Sequence, residues 1–349
     1  MNLSEIIKKN NNKIYNPYII AEAGVNHEGK MDIAIDLINQ AADGGANAIK
    51  FQTYKADKIA SKKSPYYWDL KSENTKSQYL LFKKYDKFWK KEYEKLYKQC
   101  VKKNIEFIST PFDLQSAKFL NEMVSTFKIS SSDITNKILI DYICDFNKPI
   151  LLSTGASNLN EIYQAVNWIQ KKNVPLGLLH CILNYPTKNS NANLGMIKGL
   201  KNKFPELTIG YSDHTMPGNM DNLLYSSLLG AKIIEKHFTH NKLLNGNDHY
   251  HAMDVNDLKV LRKKLYNLKL LVGSFNKKSI ITEKRSRLNA RRSIYASKII
   301  KKGELISLKN IIAKRPGAGI SPSKIDKIIG KKTTKLIKKD ELIIYKKLK

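Results

Sequence analysis

Cysteine is scarce in this chain: Cys100, Cys144 and Cys181 are the only three in 349 residues, far apart and without CxxC spacing. That excludes a disulfide framework and a zinc knuckle and fits reduced thiols. Cys181 directly follows His180, and because neighbours on a strand point to opposite faces, the thiol reads as packing. Long apolar runs are missing too, and the opening MNLSEIIKKNNNK lacks the apolar core of a signal peptide. A cytoplasmic protein without a membrane partner is therefore expected. Acidic residues are few, 31 against 61 Lys and Arg, for a formal charge of +30. Such a balance raises affinity for any polyanion at low salt. The lysines, however, run the whole length of the chain beside abundant asparagine and isoleucine, as AT-rich codon usage would supply. No zinc-finger, RNP or basic-zipper pattern accompanies them, so no specific nucleic-acid partner is expected. A basic surface would still steer a small anionic substrate toward a cleft.

What is present is a repeating pattern. The runs YIIAEAGVNH, AIKFQ, EFISTPF, FKISSSD, PILLSTG, LGLLHCILNYPT, TIGYSDH and KIIEKHF are apolar until their last few residues. There Glu22, Asn26, Lys50, Gln52, Thr110, Lys128, Ser131, Ser153, Tyr185, Ser212, His214, Glu235 and His237 appear. Strands buried on both faces have no packing use for such groups, so polar side chains gathered at the carboxyl ends point to an enzyme site on a (β/α)₈ TIM barrel. Between the runs, MDIAIDLINQAADGGA, LQSAKFLNEM, LNEIYQAVNWIQKK and MDNLLYSSLLGA carry helical periodicity. The longest interruption, Tyr54 to Asp86, holds Tyr66, Tyr67 and Trp68 and reads either as a cover for the site or as an inert insertion.

A barrel takes roughly 250 residues, which leaves room for a small second unit. The expected organisation is an N-terminal tail over 1–13, a barrel domain over 14–275, a polar linker over 276–286 and a compact tail domain over 287–349. VNDLKVLRKKLYNLKLLVG closes the barrel, and the tail has short strands with the turns of KRPGAGISP. His214 and His237 close the seventh and eighth runs, neighbours in a barrel, so their imidazoles could meet at one divalent ion. Either histidine alone reads equally as a satisfied core residue. Lys50 and Lys128 are the barrel lysines that packing explains least, although lysines can snorkel outward and serines can simply end strands.

The motifs AEAGVNHEG, IKFQTYKAD, STPFD, KISSSD, LLSTGA, LLHCILNYPT, GYSDHT, IIEKHFT, ARRSIYA and KRPGAGI, in this order, resemble the N-acetylneuraminate (sialic acid) synthase family, including the legionaminic and pseudaminic acid synthases. The resemblance runs from about Tyr18 to the C-terminus. It implies a phosphoenolpyruvate-condensing barrel followed by a SAF, or type III antifreeze-like, domain. It implies that His214 and His237 bind a divalent metal, Mn²⁺ foremost, with Mg²⁺ or Co²⁺ as alternatives and the remaining positions left to water and substrate. Lys50, Thr110, Lys128, Ser131, Ser153 and Ser212 would bind phosphoenolpyruvate, with Gln52 close by. Glu22, Tyr185 and Asp248 would meet an open-chain N-acetylmannosamine-like aldose. Arg315 would reach the sugar from the neighbouring subunit of a domain-swapped homodimer. The implied reaction joins C3 of phosphoenolpyruvate to the aldehyde, adds water at C2 and releases phosphate by C–O cleavage, giving a nine-carbon 2-keto acid. His214, His237, Glu22 and Glu235 are the catalytic candidates, with the general base open between the two glutamates.

Departures from the family pattern bear on the acceptor. HCILNYPT stands where HCTNIYPT is usual, so Leu183 takes an asparagine's place and Asn184 is offered as its shifted substitute. KIGSGE has become KISSSD with Ser132 and Asp133, and GPDH has become GNDH. The acceptor is accordingly an N-acetylmannosamine-like aldose or a diacetamido-trideoxyhexose. The other readings are a Kdo 8-phosphate or DAHP synthase, against which the SAF-like tail speaks, and a non-catalytic carbohydrate- or polyanion-binding protein.

Overall fold

Alternation of side chains along the apolar runs generates a parallel sheet whose two faces meet different surroundings. In the computed structural model, which describes residues 2–9, 16–71, 73–246 and 248–349, the runs form β1 (Tyr18–Gly24), β2 (Ala48–Thr53), β3 (Glu106–Pro111), β4 (Phe127–Ile129), β5 (Ile150–Ser153), β6 (Leu176–Cys181), β7 (Thr208–Asp213) and β8 (Ile233–His237). Their order is β3-β2-β1-β8-β7-β6-β5-β4, all neighbours parallel, and β3 packs beside β4 to close the ring. This is the expected TIM barrel.

Outward-facing residues such as Ile19, Ile49, Phe107, Ile129, Leu152, Leu178, Ile209 and Ile234 join the helices in the main core. Inward-facing residues near the amino ends, among them Tyr18, Ile20, Ala48, Ile108, Leu151, Leu179 and Ile233, make a separate apolar floor inside the barrel. Gly210 belongs at this level because nothing larger fits: a Cβ there would lie 2.5 Å from both the Ile233 carbonyl oxygen and Leu179 Cδ2. The helical patterns fold as expected at Met31–Asp43, Leu114–Leu120, Leu159–Gln170, Asp221–Leu228 and Val255–Val272. Asn158 and Asp254 cap the third and fifth of these through their side-chain oxygens.

The chain divides into two compact units, Met1–Gly273 and Ser274–Lys349. Two stretches differ from the sequence reading. The N-terminal segment forms a helix, Leu3–Lys9, whose buried Leu3 and Ile7 join the floor of the barrel, while residues 10–15 lie outside the described residues. Its polar composition hides an i, i+4 apolar pair that is enough to stopper the barrel's amino end. The stretch expected as linker contains a short helix, Lys284–Ala290. In the second unit, β9 (Ser293–Ala296) pairs antiparallel with β10 (Ile311–Lys314) over a core built largely of isoleucine, including Ile294, Ile300, Ile306, Ile328, Ile337 and Ile343.

If the N-terminal helix stoppers the barrel, Leu3→Ala and Ile7→Ala each leave a void in the floor. Each is expected to lower unfolding free energy by about 2–5 kcal/mol in denaturant titrations, a loss that a disordered tail would not show.

Candidate active site

The alternation that builds the floor continues toward the carboxyl ends, where the inward residues change from apolar to charged. Two steps beyond Ile20 comes Glu22, beyond Ala48 comes Lys50, beyond Ile108 comes Thr110, beyond Leu151 comes Ser153, and beyond Ile233 come Glu235 and His237. Register sets Glu22 opposite Lys50 on one side and His237 on the other, and Ser212 opposite Glu235. The result is a polar cavity at the carboxyl ends of the strands. Glu22, Lys50, Gln52, Thr110, Lys128, Ser131, Ser153, Tyr185, Ser212, His214, Glu235 and His237 all line it. Twelve of the sequence candidates thus converge.

Three fall elsewhere. Asp248 lies beside the cavity, its Oδ2 3.7 Å from His237 Nδ1. Asn184 is exposed and does not face the cavity; Leu183 lines it instead, so the proposed one-position shift of the family asparagine does not bring its amide to the site. Arg315 is in the second unit, exposed just beyond β10. Cys181, read from sequence as packing, also lines the cavity, with Sγ 3.8 Å from His214 Nδ1, whereas His180 turns outward to the Ala192 carbonyl. The alternation argument was sound, but it put the thiol on the functional face.

At the centre Lys50 Nζ lies 2.6 Å from Glu22 Oε2 and 3.7 Å from Glu235 Oε2, and it donates to Thr110 Oγ1 at 3.2 Å. Gln52 donates to Glu22 at 3.0 Å and Ser212 to Glu235 at 2.9 Å. Lys128 has Glu235 Oε1 at 3.7 Å and its neighbour's carbonyl at 3.3 Å. All four charged residues are at most 4 % exposed. Burial lifts the Glu22 carboxyl to about 7 despite the opposing pull of Lys50. Burial also pushes Glu235 upward, but there Lys128 and Lys50 win and hold it below the ordinary carboxylate range. For Lys50 the two glutamates outweigh burial and raise its pKa, whereas Lys128 is lowered by burial that Glu235 only partly offsets. Two carboxyls with separated acidities and an incompletely compensated buried cation suit proton transfer next to a bound anion.

Imidazoles gather at the mouth. The rings of His214 and His237 are centred 5.4 Å apart, and His251 lies 5.0 Å from His237. His214 Nδ1 is 2.8 Å from the Ile182 carbonyl, which leaves Nε2 as its outward atom, and His237 Nδ1 is buried without a hydrogen-bond partner. This nitrogen-rich set with a carboxylate at its edge fits a divalent transition metal. Nothing in the sequence pattern pointed to His251, since one histidine in a loop carries no spacing signal. Ser153 Oγ is likewise buried and unbonded, as a hydroxyl aimed at a ligand would be. The Tyr54–Asp86 interruption contributes Tyr67, Trp68, Leu81, Phe82 and Tyr85 to an aromatic cleft that meets the main cavity at Gln52 and holds Asp248 in its wall. That placement favours a cover over an inert insertion. Asn26 ties the cleft down, donating to the carbonyls of Phe238 and Asp248.

Lys236 is the control for these lysines. Equally buried but on the outward face, it is matched by Asp213 at 2.7 Å and the Thr215 carbonyl at 2.6 Å. Lys236→Met should therefore cost about 3–5 kcal/mol by stranding Asp213, while Lys128→Met, which leaves Glu235 its contacts to Lys50 and Ser212, should cost markedly less in the ligand-free protein. Chemical denaturation of the two variants separates a structural from a ligand-directed buried charge.

The matches to known proteins agree with this geometry. Residues 37–277 match the NeuB family and residues 291–349 the SAF domain. N,N'-diacetyllegionaminic acid synthase of Campylobacter jejuni is 41% identical, covering 93% of this chain and 98% of the relative. The enzyme of that name in Legionella pneumophila is 36% identical over 90% and 89%. Among solved structures, N-acetylneuraminic acid synthetase of Leptospira borgpetersenii superposes with a TM-score of 0.69 at 35% identity, over 78% of this chain and 90% of that one. With its carboxyl-end charge cluster and its two-part architecture, the chain belongs to the NeuB family: it is an acid-synthase-type enzyme with a C-terminal SAF domain.

Proposed function

We propose that this enzyme condenses phosphoenolpyruvate with an open-chain, N-acylated aminohexose to give a nine-carbon 2-keto acid and inorganic phosphate. One observation carries the reading: Lys128, Lys50, Ser153, Ser131, Thr110 and Ser212 surround one cavity in which the carboxylate facing Lys128, that of Glu235, stands 3.7 Å away and is shared with Lys50. A phosphate and carboxylate ligand would supply the missing charge, and the hydroxyls would orient its oxygens. Of the two acceptor types, the diacetamido-trideoxyhexose is favoured. The 41% identity to a diacetyllegionaminic acid synthase supports it, as does the aromatic cleft beside Gln52, whose apolar walls suit acetamido and methyl substituents.

His214 and His237 would hold a divalent ion, Mn²⁺ foremost, which would serve as a Lewis acid toward the aldehyde oxygen. The remaining chemistry falls to side chains. Lys50 and Lys128 fix the enol phosphate above the apolar floor, so that its C3 faces the aldehyde carbon. Glu235, kept ionised between two lysines, stabilises positive charge as it develops at C2. Glu22, poised to about 7, is the group that can both give and take a proton near neutrality. It protonates the alkoxide left on the former aldehyde carbon and recovers a proton from the water that adds to C2. The resulting hydroxy-phosphate then collapses by C–O cleavage to the 2-keto acid, the C2 hydroxyl proton leaving with the phosphate. In the assembled enzyme Arg315 would complete the sugar site of a partner subunit in a homodimer.

The test is phosphate release over a panel of N-acylated mannosamine and diacetamido-trideoxyhexose acceptors with Mn²⁺, with the product identified by mass. A nine-carbon acid from the diacetamido sugar is expected, and His237→Ala should abolish metal-dependent release while the fold survives. Because the free enzyme needs Glu22 protonated, kcat/KM is expected to fall as pH rises through about 7. In Glu22→Gln that limb should vanish along with most activity; a limb unchanged in position would assign the proton to another group.

A further inference from the structure

His251 is fully buried in the loop after β8, with aromatic and imidazole rings around it. Its ring lies 5.0 Å from His237, 5.7 Å from Tyr185 and 5.1 Å from Tyr250, each in an edge-on or tilted arrangement. One ligand atom from each of His237, Asp248 and His251 can be chosen so that all three lie within 4.8 Å of one another. His214 stands farther out, its ring 6.4 Å from that of His251. The loop is fixed in this position: the Met253 amide donates to the His237 carbonyl at 2.8 Å, Thr239 N donates to the Met253 carbonyl at 3.0 Å, and Asn26 holds the Asp248 carbonyl. The strand that supplies His237 and the loop that supplies the other two donors are therefore locked in register.

We infer that His251 and Asp248 are metal ligands beside the strand-end pair His214 and His237, adding a third imidazole and one carboxylate to the donors of the divalent ion. This rests on the reading above that the mouth of the barrel holds a divalent ion. Three nitrogen donors and one oxygen donor still leave positions open for substrate oxygens and select a transition metal. Mn²⁺, Fe²⁺ and Co²⁺ accept such a set readily, whereas Mg²⁺ prefers an all-oxygen shell. Asp248 also forms part of the wall of the aromatic cleft, so the ion would sit where the reacting end of an acceptor meets its substituents.

Binding of the metal alone tests this without turnover. Mn²⁺ affinity is read by the electron paramagnetic resonance signal of the free ion in the full-length protein, with folding followed by thermal melts. His251→Gln and Asp248→Asn are each expected to weaken Mn²⁺ binding by about tenfold or more, at least the loss seen when merely supporting groups around a metal are removed. Mg²⁺ should compete poorly. As a second variant, His251→Cys loaded with Co²⁺ should show a thiolate-to-cobalt band in the near ultraviolet that the parent protein lacks. Wild-type Mn²⁺ affinity in both folded substitution variants, no such band in folded His251→Cys, or no Mn²⁺ binding by the parent protein would each overturn the inference. Failure to condense any sugar would remove the functional proposal instead, leaving the metal titration to stand by itself.

Discussion

The structure turns on one constraint: Lys50, Glu22, Glu235 and Lys128 share a water-poor space inside a closed ring of strands. Removing an ion from water costs several kcal/mol even after relaxation, so the group persists only where partners compensate it. Lys50 is compensated by two carboxylates and a threonine hydroxyl, and Glu235 by two ammonium groups and Ser212. The apolar floor below, stoppered by Leu3 and Ile7, keeps the barrel's other end from flooding the cluster. Compensation is incomplete at Lys128, whose pKa burial lowers, and under the function proposed above a substrate anion would add what the fold withholds. Stability and function are in this sense one electrostatic problem with the ligand as its last charge.

Burial alone does not mark a catalytic charge. Lys236 and Lys128 are neighbours in burial and opposite in role, because a strand gives successive residues to different faces. Lys236 meets a carboxylate and a carbonyl within hydrogen-bond range beneath the helices, so the outer pair locks β8 to the loop after β7. That lock matters to the site, since β8 carries Glu235 and His237 on its inner face and the loop carries His214.

Much of this was legible in the sequence because strand periodicity and strand-end chemistry coincide. The run KIIEKHF announces a buried strand and, through Glu235 and His237, its inward face. Even β4, only Phe127–Ile129 as a strand, was visible from Lys128 at the end of an apolar run. What escaped was contributed by residues with no periodic context. His251 lies in a turn, where its partners are set by the path of the loop and not by spacing. Asn184 was offered as the shifted substitute for the family asparagine, but beyond the end of β6 the chain leaves strand geometry, and Leu183 faces the cavity instead. The stopper helix was hidden because two apolar residues among lysines and asparagines carry little signal until a barrel end exists to receive them.

The charge of +30, the loudest compositional signal, comes mostly from residues outside the cavity, which holds only Lys50 and Lys128 of the lysine and arginine side chains. Lysines such as Lys62, Lys63, Lys171, Lys172, Lys338 and Lys339 are exposed and scattered over both units. At physiological ionic strength such charges are screened beyond roughly 8 Å, so they can speed an anion's approach to the mouth but contribute little once it is bound. Inside, where screening fails, two lysines are set against two glutamates, and their arrangement decides which anion stays. The composition of the surface and the composition of the cavity therefore answer different questions, and only the second identifies the chemistry.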